Sequence, residues 1–208
     1  MRIDLRGISQ RWQRSGRRLG QDERGTTAVE FGMVATPFFM MLFGIISVGF
    51  YFFTTFTLEN AVENAARLIR TGQVQTVPNN AGVMTYPASM TGCTSSTALA
   101  TCFKTQVCNY LPSPMFDCAG KVRVNVTSYS DFSSVPVPSC TTSGGALITD
   151  ATAAANFSAG TASQVVLVSA CYEWDLAKAM PFLKLTKTQA SNNTLIQAST
   201  VFMTEPYN

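Results

Sequence analysis

The sequence contains no histidine. The commonest general base and the commonest metal ligand are therefore both missing. It has no Cys-x-x-Cys pair, so a zinc ribbon or a thioredoxin-like redox motif fits poorly. Neither a glycine-rich phosphate loop nor a nucleophile motif is present. Chemistry would have to rest on carboxylates. The one close set, Glu173 and Asp175 around Trp174, lies at the end of a predicted strand beside a turn, where exposed acids are common. The expectation is a protein that is not an enzyme, with no catalytic residue, no metal and no cofactor.

Charge is missing from one long stretch as well. Phe31 to Leu58 is 28 residues without a single Asp, Glu, Lys or Arg. A bilayer-spanning helix needs roughly 20 apolar residues. Phe, Met, Leu and Ile dominate this run, which makes every helical face apolar, as lipid contact requires. Charge is concentrated just before it. Residues 1–25 carry seven arginines against Asp4, Asp22 and Glu23, a net of +4, while the remaining 183 residues net −1. Nucleic-acid binding would need a basic face on the folded domain, and none is visible. The arginines instead form a cytoplasmic topogenic flank under the positive-inside rule. The leader differs from a common secretory signal, because its small residue, Gly25, precedes the apolar core and the core itself is far longer than usual.

The periodicity predicts one helix over residues 26–72, spanning a membrane in its first half, about 31–56, and measuring about 69 Å in all. Pro37 removes a backbone hydrogen bond and predicts a kink. From Thr57 onward Leu58, Ala61, Val62, Ala65, Leu68 and Ile69 recur at helical spacing, with Glu59, Asn60, Glu63, Asn64, Arg67 and Arg70 between them. The helix thus leaves the apolar zone amphipathic, and Gly72 is placed to cap it. Residues 73–92 read as loop. Thr97–Leu111 reads as a short helix with Leu99, Phe103, Val107 and Tyr110 inward. Lys121–Thr127 alternates as a half-buried strand. The Ser/Thr/Gly-rich stretch 128–162 reads as a long surface loop. Gln164–Trp174 and Thr194–Thr204 read as strands, and Asp175–Leu185 as a short helix or turn. The sum is an α+β protein, in which a long N-terminal transmembrane helix continues into a C-terminal antiparallel-sheet domain, 73–208. All six cysteines, Cys93, Cys102, Cys108, Cys118, Cys140 and Cys171, follow the apolar run. An even count in an exported domain predicts disulfides. Cys102 and Cys108 lie on different faces of one predicted helix and are not expected to pair with each other. The rest of the connectivity is open.

Arg24-Gly25-Thr26-Thr27-Ala28-Val29-Glu30-Phe31, with Pro37 and Phe43-Gly44-Ile45-Ile46, resembles the TadE-like pseudopilins of tight adherence (Tad/Flp) type IV pilus systems. Gly25 followed by Glu30-Phe31 is similar to a type IV prepilin cleavage site. Glu205-Pro206-Tyr207 resembles the terminus of longer members of that family, and Tyr172 and Trp174 with Pro181 downstream also fit them. One departure is Phe31, where the major pilins often have tyrosine.

The resemblance implies a pilin-like fold and a structural role as a minor pilin. It also implies cleavage between Gly25 and Thr26 by a prepilin peptidase, and recognition and assembly through Glu30 and Phe31. Partners would be that peptidase, other pilins and pseudopilins, the Tad secretion machinery and membrane lipid, with no nucleic acid. Localisation would be single-pass in the inner membrane, with the N-terminus cytoplasmic, the C-terminal domain periplasmic, and incorporation into a surface pilus open. The alternative is an unprocessed, signal-anchored periplasmic binding domain.

Overall fold

The computed structural model describes residues 26–74, 77–78, 84–85, 96–112, 116–174 and 194–206. The chain divides into two units, Met1–Gly49 and Phe50–Asn208. Helix α1 (Thr26–Arg70) contributes to both and runs through Pro37 without a break in its assignment.

In the first unit the described residues are all helical, and nearly every side chain is exposed, Phe31 at 71% and Met33 at 73% among them. The most apolar 18-residue window of α1 has a mean hydropathy of 2.0 and is almost wholly unburied. It is long and apolar enough to cross a membrane. Its few polar side chains satisfy themselves locally. Thr36 Oγ1 donates to the Gly32 carbonyl at 2.7 Å, and Ser47 donates to the Phe43 carbonyl. Folding each hydroxyl back onto the preceding turn removes the cost of leaving it unbonded in an apolar medium.

The second unit holds the core. From Leu58 to Ile69, α1 buries Leu58, Ala61, Val62, Ala65, Ala66 and Ile69, the stripe that helical periodicity marks out. The helix ends as Gly72 takes a positive φ of 75°. Gly72 N–H donates to the Ile69 carbonyl and Gln73 N–H to the Leu68 carbonyl at 2.8 Å. This is the double-bonded glycine cap that closes many helices, and it needs a residue tolerant of the left-handed region.

A two-residue antiparallel pair follows, β1 (Val77–Pro78) with β2 (Met84–Thr85). It lies inside 73–92, expected to be loop, because backbone pairing there is too short to leave a side-chain pattern. Helix α2 (Ser96–Asn109) buries Leu99, Phe103 and Val107, but Tyr110 is 47% exposed and Leu111 is buried instead. The inward step of four continues from 107 to 111. Tyr110 N–H and Leu111 N–H close the helix onto the Val107 and Cys108 carbonyls, and Tyr110 lies just past its last residue. A single turn, α3 (Cys118–Lys121), leads into β3 (Val122–Tyr129), which pairs antiparallel with β4 (Val165–Trp174). That strand pairs in turn with β5 (Thr194–Met203). The sheet order is β3-β4-β5. Asp175–Leu185, expected to be a helix or turn, lies outside the described residues.

One sheet face carries Val122, Val124, Val126, Val166, Val168, Ala170, Tyr172, Trp174, Ile196 and Ala198, in one buried cluster with the α1 stripe, Phe103 and Val107. Tyr51 meets Trp174 with ring centroids 5.8 Å apart. Phe116 meets Tyr172 at 4.8 Å. The other face is covered too, since Val165, Leu167, Ser169 and Cys171 are buried.

The residues around Cys140 on that face belong to the stretch expected to be loop, and that expectation needs correction. Within 128–162, β3 extends to Tyr129, a 3-10 turn forms at Phe132–Ser134, Thr141 bridges to Leu147, and helix α4 forms at Asp150–Ala155. Caps build these pieces. The Asp131 carboxylate accepts from Ser134 N–H, and the Thr149 hydroxyl accepts from Thr152 N–H, each satisfying a donor that a helix start leaves open. The Ser133 and Ser130 hydroxyls hold the Asp131 carboxyl below the usual carboxylate range. The Cys140–Cys171 disulfide and a 2.9 Å bond from Gln197 Nε2 to the Pro138 carbonyl fasten the segment over the sheet.

Thr204, only 2% exposed, ties the end of β5 to the start of β4. Its hydroxyl donates to the Thr161 carbonyl at 2.6 Å and accepts from Gln164 N–H at 3.0 Å. Thr204→Val keeps the shape and removes both bonds, leaving Gln164 N–H and the Thr161 carbonyl only their longer 3.3 Å bond to each other. It is expected to cost about 1–3 kcal/mol, read as a lower denaturant midpoint with an unchanged slope. A loss within experimental error would show that the hydroxyl carries none of the junction.

Candidate processing and assembly segment

The structure places the expected assembly residues at the start of α1. Thr26 is its first described residue, and Glu30 and Phe31 lie on its exposed surface. Gly25 lies outside the described residues. Glu30 is the only charged side chain from Thr26 to Leu58. It stands four residues, about 6 Å of helix rise, from Thr26. The first described turn, 26–29, holds no acid. Among the described residues no group of His, Cys, Asp or Glu is arranged to hold a metal ion.

The cysteines lie in the second unit. Cys108 is bonded to Cys118 and Cys140 to Cys171, with Cα separations of 5.7 and 6.1 Å. Cys102 is disulfide-bonded as well. Cys93 lies outside the described residues, among which no cysteine is free. Cys108 thus joins the turn after its own helix. The chain must reverse through Pro112 to bring Cys118 back, and the bridge locks that reversal.

Residues 25–67 match the model of a family described as TadE-like protein. This segment is TadE-like. The match begins at Gly25 and stops within the amphipathic part of α1, so it covers the apolar helix and its first core-forming turns. The matched segment is the one that carries Glu30. No curated protein matches the chain, and no solved structure does. The sheet domain that follows the TadE-like segment stands on its own structure.

Two features of that domain escaped the sequence reading. Glu205, noted there only as part of a terminal motif, donates its backbone N–H to the Arg70 carbonyl at 3.0 Å, and its carboxylate lies 3.7 Å from Arg70 Nε. The motif fastens onto the last turn of α1. Both side chains are well exposed, so the ion pair adds little and the backbone bond is the specific contact. The second feature is Lys104, whose ammonium reaches the Ala119 carbonyl and both Asp150 oxygens, while Arg123 lies 3.5 Å from the same carboxylate. A lysine in a helix that reads as amphipathic gives no sign of such a partner 46 residues away.

Proposed function

We propose that the protein is a minor pilin or pseudopilin of a Tad-type pilus. In this reading it is a structural subunit rather than an enzyme, matured by cleavage between Gly25 and Thr26. The observation that carries the reading is the coincidence at one place of two things. The TadE-like match begins at Gly25, and the lone acid of the apolar helix stands five residues on, at Glu30. A glycine at the cut admits the backbone into a protease cleft without a side chain in the way. The arginine-rich flank keeps residues 1–25 on the cytoplasmic side, where the peptidase would act, and sends the sheet domain across the inner membrane. Its disulfides suit that oxidising side.

Cleavage would remove the leader and create an amine at Thr26. Glu30 of a neighbouring subunit can then pair with this amine as the helices bundle. Sequencing the mature N-terminus should read Thr-Thr-Ala-Val-Glu, and Gly25→Leu should leave only the uncut chain. A mature protein that still carries residues 1–25, in cells with an active prepilin peptidase, contradicts the reading.

A further inference from the structure

The two edges of the sheet are treated differently. The β3 edge is engaged by its own chain. Ser158 N–H donates to the Val126 carbonyl at 2.9 Å, the Ser128 and Ser158 hydroxyls meet at 2.7 Å, and Arg123 reaches Asp150 at the start of α4. At β5 no described backbone group pairs with the free side, and β4 is the strand's only neighbour in the sheet among the described residues. Natural edges are usually blocked by a lysine, a proline, a bulge or shortness. β5 has none of these. Thr194–Met203 is ten residues without Lys, Arg, Asp, Glu, Pro or Gly. Its register against β4 is unbroken from Val165↔Met203 to Trp174↔Thr194. Toward its end, Val201 and Met203 stand 39% and 53% exposed.

We propose that the free edge of β5 is a docking site for an extended segment of a different chain of the same assembly, added as a fourth strand. The chemistry of the edge specifies the occupant. Its backbone groups can be satisfied only by another extended backbone, and its lack of charge favours an uncharged strand with apolar residues beside Val201 and Met203. A second copy of this chain is the other obvious strand donor, and geometry disfavours it. Antiparallel pairing of β5 with itself places a two-fold axis perpendicular to the sheet. A helix layered on a sheet face lies along that face, so the 50–70 helices of the two copies would run in opposite directions. Two chains that enter one membrane just before residue 50 cannot adopt that arrangement. This step rests on the membrane-anchored pilin reading.

The test places a photo-crosslinking amino acid at Ser199, exposed on β5, in the full chain expressed in pilus-producing cells. A control position is Ala151, exposed on α4 beside the other edge. The expected result is a Ser199 adduct with another pilus component, mapped by mass spectrometry to an extended segment. Val201→Lys with Met203→Lys should weaken that adduct about tenfold or more, with unchanged membrane level and none at Ala151. An adduct with a second copy of this chain, an equal adduct at Ala151, survival of the adduct in the double-lysine variant, or a processed chain with no adduct would each overturn the proposal. The same gel reports processing. A chain still carrying its leader counts against the pilin reading, and a Ser199 adduct formed by it leaves the edge proposal standing.

Discussion

Glu30→Leu is expected to leave processing and membrane level close to normal and to abolish co-purification with partner pilins. The separation of the two effects follows from where Glu30 stands. In a lone subunit it is exposed near the start of α1, within reach of lipid headgroups and water, so its removal changes little. In a bundle of such helices water is excluded. The amine left on Thr26 would then sit at the positive end of its own helix dipole with no acid in the first turn to offset it. Leaving one member of a buried charge pair uncompensated costs about 3 kcal/mol or more, roughly a hundredfold in association. Glu30→Asp, which keeps the charge on a shorter arm, should recover part of the loss. Normal association of a processed Glu30→Leu protein would make Glu30 an interfacial residue and nothing more.

Cys140→Ser with Cys171→Ser is expected to be the most destabilising change available in the sheet domain without emptying its core. Both sulfurs are buried, and the bridge spans 31 residues. Closing a loop of that length removes about 3–4 kcal/mol of entropy from the unfolded chain. It also holds the residues around Cys140 against the sheet at Cys171. The unfolding temperature should fall by about 10 °C, and an apolar dye should bind the uncovered face. The shorter Cys108–Cys118 bridge, with a separation of ten, should cost less when removed. A double-serine variant as stable as the parent would show that the segment holds its place without the bond.

The parts of this fold legible in the sequence are those in which a side-chain pattern and the fold share one cause. An uncharged run must be a membrane or core helix, so α1 was visible in the missing charges. Val122, Val124 and Val126 alternate because one face of β3 is buried. The stretch 128–162 was illegible for the opposite reason. Its order comes from Asp131 and Thr149 capping short turns, from one disulfide, and from contact with a sheet formed by distant strands. Serine, threonine and alanine in sequence look the same with or without those partners. Tyr110 was misplaced because the helix was read as running to Leu111, whereas it ends at Asn109. In the candidate segment Glu30 stood out as a lone charge, whereas the contact of Glu205 with Arg70 joins residues too far apart in the chain for any local pattern to show.

That contact bears on how the domain would carry load. A pull along α1 is borne first by the stripe packed from Leu58 to Ile69, and what reaches Arg70 leaves it by two routes. One is the covalent path through Gly72 into the 73–95 connection. The other is the Glu205 N–H bond to the Arg70 carbonyl, which passes tension to Thr204, β5 and the centre of the sheet. The two routes act in parallel, so the first ångström of extension is shared with the ladder instead of falling on the connection alone. The terminal motif then works as a strain relief at the end of a stiff helix.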